Sequence, residues 1–357
     1  MRLLFLSDAR SFHTKRWVDY FVNRGYESYL FSLEKSQGTK ACEIFVPPKT
    51  ERSFLKYILA LPRVKKVIKE IEPDLVNAHF VPNYGLLGAL SGRRPLVVSA
   101  WGSDVLISSK KSFFHRMRTK YVLSKADLIT CDGINLVQGL NKLGIPGGRI
   151  VLAPMGVELK MLKEHSVSGG FENEDEIIIL SMRSLEPVYD LKTLIKAIPL
   201  MISQTHKKLK FWIIGEGSQK EELVRHSSDL GIEKYIEFKG YVSREELENC
   251  WLKADIYVST SLSDSTSVSL LEAMASGLLP VVSDIPGNRE WIEEGKNGFL
   301  FPTGDYQALS QKIVWAMNNF KDIERFKMDN QKIIKERALW EENMRIIENK
   351  FLELFRR

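Results

Sequence analysis

SDSTSVSLLEAMASG, residues 263–277, sets two acids around a hydroxyl-rich turn and the start of an apolar run. Val268, Leu271 and Ala275 recur at helical spacing and Gly277 is a natural stop, so the stretch predicts a short amphipathic helix. Thr266 or Ser267 caps its start. The N–H groups and the positive end of the helix dipole then face the 264–267 loop, where a diphosphate is most easily held. Glu272, one step off the apolar stripe, can accept two hydrogen bonds from a diol such as a ribose, and Asp264 can accept from the hydroxyls of a second sugar. Taken alone, such a pair is more often a turn residue and a solvated helix face.

The flanking sequence decides between these readings. Upstream, short apolar strands alternate with amphipathic helices. Strands are predicted at 3–7, 29–33, 75–78, 95–100, 128–131 and 150–153, with helices at 14–23 and 54–71. The apolar rhythm lapses in HSVSGGFENEDE, between Lys163 and Glu176, a Ser-, Gly- and acid-rich run that reads as a linker. The cycle then restarts, with strands at 177–181, 211–214, 236–238, 256–259 and 280–283 and helices at 191–202, 221–230 and 244–252. Two similar doubly wound parallel α/β sheets are the economical arrangement, and such sheets bind ligands beyond the carboxyl ends of their strands.

In this setting LLEAMASG, followed by LPVVSDIPGNRE, resembles the acidic E-x7-E signature of the family 4 (group 1) retaining glycosyltransferases, with Asp264 at the position of the usual first Glu. IIILSMRSL resembles the strand carrying that family's diphosphate-binding Arg, here Arg183. FWIIGEGSQKEEL is similar to its Gly-rich strand end, with Gly215 and Gly217. IEFKGYVSREELENCWLKADIYVSTS is similar to the segment closing on the nucleotide base, with Tyr241 and Val242.

The resemblance implies the GT-B fold: two Rossmann-like domains with doubly wound parallel sheets, 1–165 on the acceptor side and 166–338 on the donor side, facing a cleft. A C-terminal helix, 339–357, would cross back to the first domain. Trp340, Met344, Ile347, Phe351 and Phe355 recur at helical spacing as that element requires. The implied activity is transfer of a hexosyl unit, with retention, from a UDP- or GDP-linked sugar to a glycan or lipid-linked acceptor in cell-surface polysaccharide or glycolipid assembly. No cofactor and no dedicated metal are expected, since no D-x-D pair stands at a convincing strand end. Arg183, Ser267, Val268, Ser269 and Glu272 would hold the donor nucleotide, Asp264 would hold the donor sugar, and the acceptor would lie near His79 and Asp104.

Three departures stand out. Tyr189 occupies the position where the family commonly places a Lys beside its Arg, which removes one positive charge from the expected diphosphate clamp; Tyr189 could donate one neutral hydrogen bond, and Lys192, a turn further, could compensate. Trp101 stands where the family often has a His, leaving His79 as the better-placed imidazole. The opening loop, Asp8 to His13, lacks paired glycines. These changes keep two rivals in view: a nucleotide-sugar 2-epimerase of the same architecture, and a non-catalytic sugar-nucleotide-binding protein.

Composition narrows the setting. Residues 1–165 hold 26 Lys+Arg against 14 Asp+Glu, net +12, and the remainder is net −6. Basic residues gather at Arg63, Lys65, Lys66 and Lys69 and at Lys110, Lys111, Arg116, Arg118 and Lys120, interleaved with apolar positions. Such a surface can dock on anionic lipid or be an ordinary solvated helix face. No nucleic-acid-binding motif accompanies it. Cys42, Cys131 and Cys250 form no CxxC pair, which suits a reducing compartment. No apolar run approaches the ~20 residues of a membrane span, and Asp8 interrupts the opening MRLLFLSD too early for a signal peptide. A cytoplasmic protein, able to sit at the inner face of the plasma membrane, is the expectation.

Overall fold

The run RLLFL forms β1 (Arg2–Leu6), and its last four side chains are all buried. A parallel sheet covered by helices on both faces needs apolar residues on both, so its strands read as unbroken apolar runs. The computed structural model describes residues 1–36, 38–50, 54–164 and 176–356. The chain divides into two compact units: Met1–Ala153 with Asn343–Arg357, and Pro154–Glu342.

In the first unit, β1 is joined by β2 (Glu27–Ser32), β3 (Cys42–Phe45), β4 (Leu75–His79), β5 (Leu96–Ser99), β6 (Leu128–Cys131) and β7 (Ile150–Leu152). They form one parallel sheet in the order β3-β2-β1-β4-β5-β6-β7. The order reverses between β1 and β4, the switch point at which such sheets open toward ligands. Leu4, Leu6, Val76 and Val98 pack with Val64, Leu87 and Val122 of the covering helices. The helix Trp340–Phe355 closes the unit. Its Phe351 ring stacks on Phe21 with centroids 5.1 Å apart. Its Glu348 carboxylate accepts hydrogen bonds from the hydroxyls of Tyr20 at 2.9 Å and Tyr26 at 2.8 Å and pairs with Arg24 at 3.2 Å. Burial and this carboxylate push the Tyr26 hydroxyl up to about 12.

The second unit holds β8 (Glu176–Met182), β9 (Lys208–Ile214), β10 (Ile236–Gly240), β11 (Ile256–Ser259), β12 (Leu279–Ser283) and β13 (Phe299–Phe301). The sheet is again parallel, in the order β10-β9-β8-β11-β12-β13, with its reversal between β8 and β11. Alternate residues of each strand feed two cores. Ile177 and Ile179 of β8 pack with Phe211, Val258 and the helix Leu191–Ser203. Leu180 packs on the other face with Tyr257, Leu270, Leu271 and Met274.

The junction differs from the expected one at residues 165/166. The unit boundary falls at Ala153/Pro154 because the following segment belongs to the second unit. Val157 donates its N–H to the Ala338 carbonyl and accepts from the Trp340 N–H, both at 2.8 Å, and Met161 is buried in the same core as Leu271. The expected linker lies largely outside the described residues. Strands β3 and β13, not anticipated from sequence, extend the two sheets.

Candidate active site

Arg183 leaves the end of β8 and the loop carrying Asp264 leaves the end of β11, so the switch point of the second sheet brings them together. The Arg183 guanidinium donates to Asp264 Oδ2 at 2.6 Å, to Ser267 Oγ at 2.6 Å and to Ser269 Oγ at 3.2 Å. It also lies over the Tyr189 ring, 4.1 Å from the centroid, a cation–π contact. The side chain is 9% exposed, and its Nε is buried without a partner. Burial works against the charge, but Asp264, Tyr257 and Tyr189 hold the guanidinium above its ordinary value. The Arg183 guanidinium is therefore a fixed cation at the base of the Asp264 loop.

The hydroxyls around it form a continuous chain. Ser267 caps the helix Val268–Ala275, accepting from the Leu270 N–H at 3.3 Å, and its Oγ lies 3.0 Å from that of Ser269, which in turn lies 2.7 Å from the Tyr257 hydroxyl. The N–H groups of Val268 and Ser269 sit in the first helical turn, where no preceding carbonyl can receive them. Glu272, in the middle of that helix, is buried to 9% exposure, with Arg244 3.8 Å from its Oε1. Arg244 also stacks over Trp251. Tyr257 and Arg244 were not foreseen. The hydroxyl of Tyr257, midway along an apolar strand, was the available sign of the first; a lone surface-type Arg gave none for the second.

Two expected donor residues act differently from their sequence reading. Tyr189 turns its ring to the guanidinium face, so it supports Arg183 by stacking. Lys192 pairs with Glu222 at 2.7 Å on the neighbouring helix and leaves Arg183 as the cation of this cluster. Gly215 and Gly217 shape the site through the backbone. Gly215 has φ +135°, and a Cβ there would run into the Arg183 carbonyl oxygen; one on Gly217 would meet the backbone of Leu185, with its N at 2.7 Å. Their bareness lets the turn after β9 lie against residues 183–185, where Leu185 N–H donates to the Glu216 carbonyl at 3.0 Å. Gly287, also unforeseen, does the same for the acidic loop: its Cβ would meet the Ser265 carbonyl and, at 2.7 Å, that of Asp264. Tyr241 is 85% exposed and stands outside this network, and Val242 is half-buried at the edge of the core.

In the first unit, the two residues read as catalytic are interior ones. His79, at the end of β4, is 1% exposed, with Nε2 3.0 Å from Asn77 Oδ1 and its ring packed by Phe5, Trp17 and Trp101. Burial pushes the imidazole down to about 3, so it is neutral at physiological pH. Asp104 is fully buried, and its carboxylate accepts from the N–H groups of Val81 at 3.0 Å, Trp101 at 3.1 Å and Val105 at 3.0 Å. Burial pushes it up to about 6 against those hydrogen bonds. Both groups hold the loops after β4 and β5 in place. Both are interior groups: His79 keeps a buried Nδ1 without a hydrogen-bond partner, and the Asp104 carboxylate is taken up by backbone donors. Among the described residues no group of three or more His, Cys, Asp or Glu side chains could hold a metal ion.

These features can now be set beside known proteins. Residues 163–333 match the family described as Glycosyl transferases group 1, and residues 2–133 match the one described as Glycosyl transferase 4-like. The chain is a group 1 glycosyltransferase of the GT-B type. A relative, the putative glycosyltransferase EpsD of Bacillus subtilis (strain 168), is 26% identical over 328 residues, spanning 85% of this chain and 83% of its own length. The amylovoran biosynthesis glycosyltransferase AmsK of Erwinia amylovora is 29% identical over 257 residues, spanning 68% of this chain and 62% of its own. The crystal structure of Anabaena Alr3699/HepE in complex with UDP superposes with a TM-score of 0.79 at 17% identity, covering 99% of this chain and 100% of that one. At that identity the likeness speaks for the fold. Within this glycosyltransferase, the match to the group 1 family spans the Arg183, Asp264 and Glu272 cluster.

Proposed function

We propose that this glycosyltransferase moves a hexosyl unit, with retention of anomeric configuration, from a UDP- or GDP-linked sugar to a glycan or lipid-linked acceptor in polysaccharide or glycolipid assembly. The observation that carries the reading is the convergence of Arg183, Ser267 and Ser269 on the mouth of one helix at the sheet's switch point. Departure of a nucleoside diphosphate leaves two negative charges to be held while the sugar is oxocarbenium-like, and a pre-positioned cation with first-turn N–H groups meets that need without reorganisation. Glu272 takes the ribose diol. Asp264, held by Arg183 at 2.6 Å, accepts from hydroxyls of the sugar. The relative named for amylovoran biosynthesis, and the neighbour solved with UDP, support the substrate class.

The test is incubation with a panel of UDP- and GDP-sugars and lipid-linked or oligosaccharide acceptors, with the product's anomeric configuration read by NMR. Transfer lost on Arg183→Ala and Glu272→Ala supports the reading. Epimerised nucleotide sugar formed without acceptor, or donor binding with neither transfer nor slow hydrolysis, would overturn it.

A further inference from the structure

The first unit exposes apolar side chains where its charge is most concentrated. The helix Phe113–Lys125 buries Thr119, Val122 and Leu123 and turns Phe113, Met117 and Tyr121, at i, i+4 and i+8, outward along one stripe. Phe113 is 71% exposed and Phe114 82%, their rings packed edge to face on each other. Lys110 to Lys125 contains six Lys and Arg and no Asp or Glu. A second basic helix, Leu55–Ile71, joins this face: the Arg118 guanidinium lies 5.4 Å from the Phe54 ring centroid, and Leu55, Ile58 and Leu59 are exposed on the helix's first turns. That helix adds five cations against one acid, Glu70; Lys56 pairs with Glu34 at 2.7 Å and Lys66 with Glu70 at 3.5 Å, leaving Arg63, Lys65 and Lys69 for the face. A groove of about 350 Å³ opens on the same helix, lined by Pro47, Pro48, Lys49, Leu59 and Arg63 among others.

We infer that this face docks on an anionic lipid bilayer, with Phe113, Phe114 and Met117 entering the boundary between headgroups and acyl chains and the lysines and arginines lying on the phosphates. Aromatic rings favour that boundary because one solvent there is apolar and the other wet, and each cation near an anionic surface raises partitioning by roughly fivefold. Long basic side chains can reach the headgroups while their stems lie along the apolar layer. A second copy of this chain is a poor occupant, because it would bring cations against cations with a single acid, Glu70, on the two helices to offset them. This inference does not rest on the proposed sugar transfer.

Flotation of the full chain with vesicles tests it. Wild type should float with phosphatidylcholine–phosphatidylglycerol vesicles, stay behind with phosphatidylcholine alone, and be released by salt. F113S/F114S should weaken binding at least about tenfold, as loss of two inserted rings requires, and K110E/K111E should weaken it comparably. Both should keep the wild-type melting temperature and affinity for UDP or GDP. Wild type failing to float on anionic vesicles at low ionic strength would overturn the inference, as would variants that float unchanged. A concentration-dependent oligomer abolished by F113S/F114S, without vesicle binding, would reassign the face to a second copy of the chain.

Discussion

Replacing Arg183 with Ala, Asp264 with Asn, and both together measures how the anion site is wired. The two side chains meet at 2.6 Å and are 9% and 19% exposed, so each is the other's main counter-charge. Hydrogen bonds to charged groups contribute about 1.5–3 kcal/mol each, and two of them from the guanidinium to a diphosphate put the loss in Arg183→Ala at about 3–6 kcal/mol, roughly 10²–10⁴-fold in Kd. Part of that loss is repulsion. With Arg183 gone, Asp264 faces the diphosphate unneutralised, and like charges about 5 Å apart at an effective dielectric near 20 repel by about 3 kcal/mol. The double variant should therefore bind a nucleoside diphosphate about tenfold or more tighter than Arg183→Ala alone. Asp264→Asn by itself should bind it no worse than wild type while turning over slowly, since only its grip on the sugar is lost. Calorimetry with UDP and GDP on variants of unchanged melting temperature reads this. Additivity of the two substitutions within about 0.5 kcal/mol would show that the pair does not act as a unit and would refute the reasoning.

Three further outcomes are expected. Glu272→Gln should cost about 3 kcal/mol, or roughly 10²-fold, in kcat/KM for the true donor, with little effect on free pyrophosphate as an inhibitor, because only the diol contacts are weakened; equal losses for both would remove Glu272 from the ribose. Gly287→Ala should lower both the melting temperature and turnover, since its Cβ must displace the Asp264–Ser265 carbonyls; a variant with wild-type kinetics would mean the loop yields without consequence. Acid stability should show two opposed slopes. His79, at about 3 folded against 6.5 unfolded, adds stability that is present above pH 6.5 and lost as pH falls toward 3, whereas Asp104, at about 6 against 3.8, adds stability below pH 3.8 that is lost as pH rises through 6. Between about pH 4 and pH 6 they oppose, so the melting temperature should fall with rising pH in His79→Gln and rise more steeply in Asp104→Asn; parallel profiles in all three proteins would contradict the burial assigned to these groups.

Much of this was legible in the residues, for identifiable reasons. Strands covered on both faces announce themselves as runs such as LLFL and IIIL, and the D-x7-E spacing places Asp264 and Glu272 on one short helix and its lead-in loop. Strand β3 escaped because its side chains are mostly exposed and it carries no apolar run, and β13 because three residues hold no period. The surroundings of His79 were not legible because topology gives the strand end but not what packs around it; Phe5, Trp17 and Trp101 come from three other segments. Tyr189 shows the same limit. Its position beside Arg183 was readable, but whether hydroxyl or ring faced the guanidinium depended on the turn Pro187–Tyr189, whose last carbonyl is held by Thr260 Oγ1 at 2.7 Å.

The pin at Glu348 bears on how the molecule is made. Its partner Tyr20 is synthesised 328 positions before Glu348. Until then the apolar surface around Phe21 has no Phe351 to cover it, so the first half must wait, incompletely sealed, while the entire second half is synthesised. Release of a nascent chain that stops short of Glu348 should therefore yield a species that binds chaperones through the surface around Phe21.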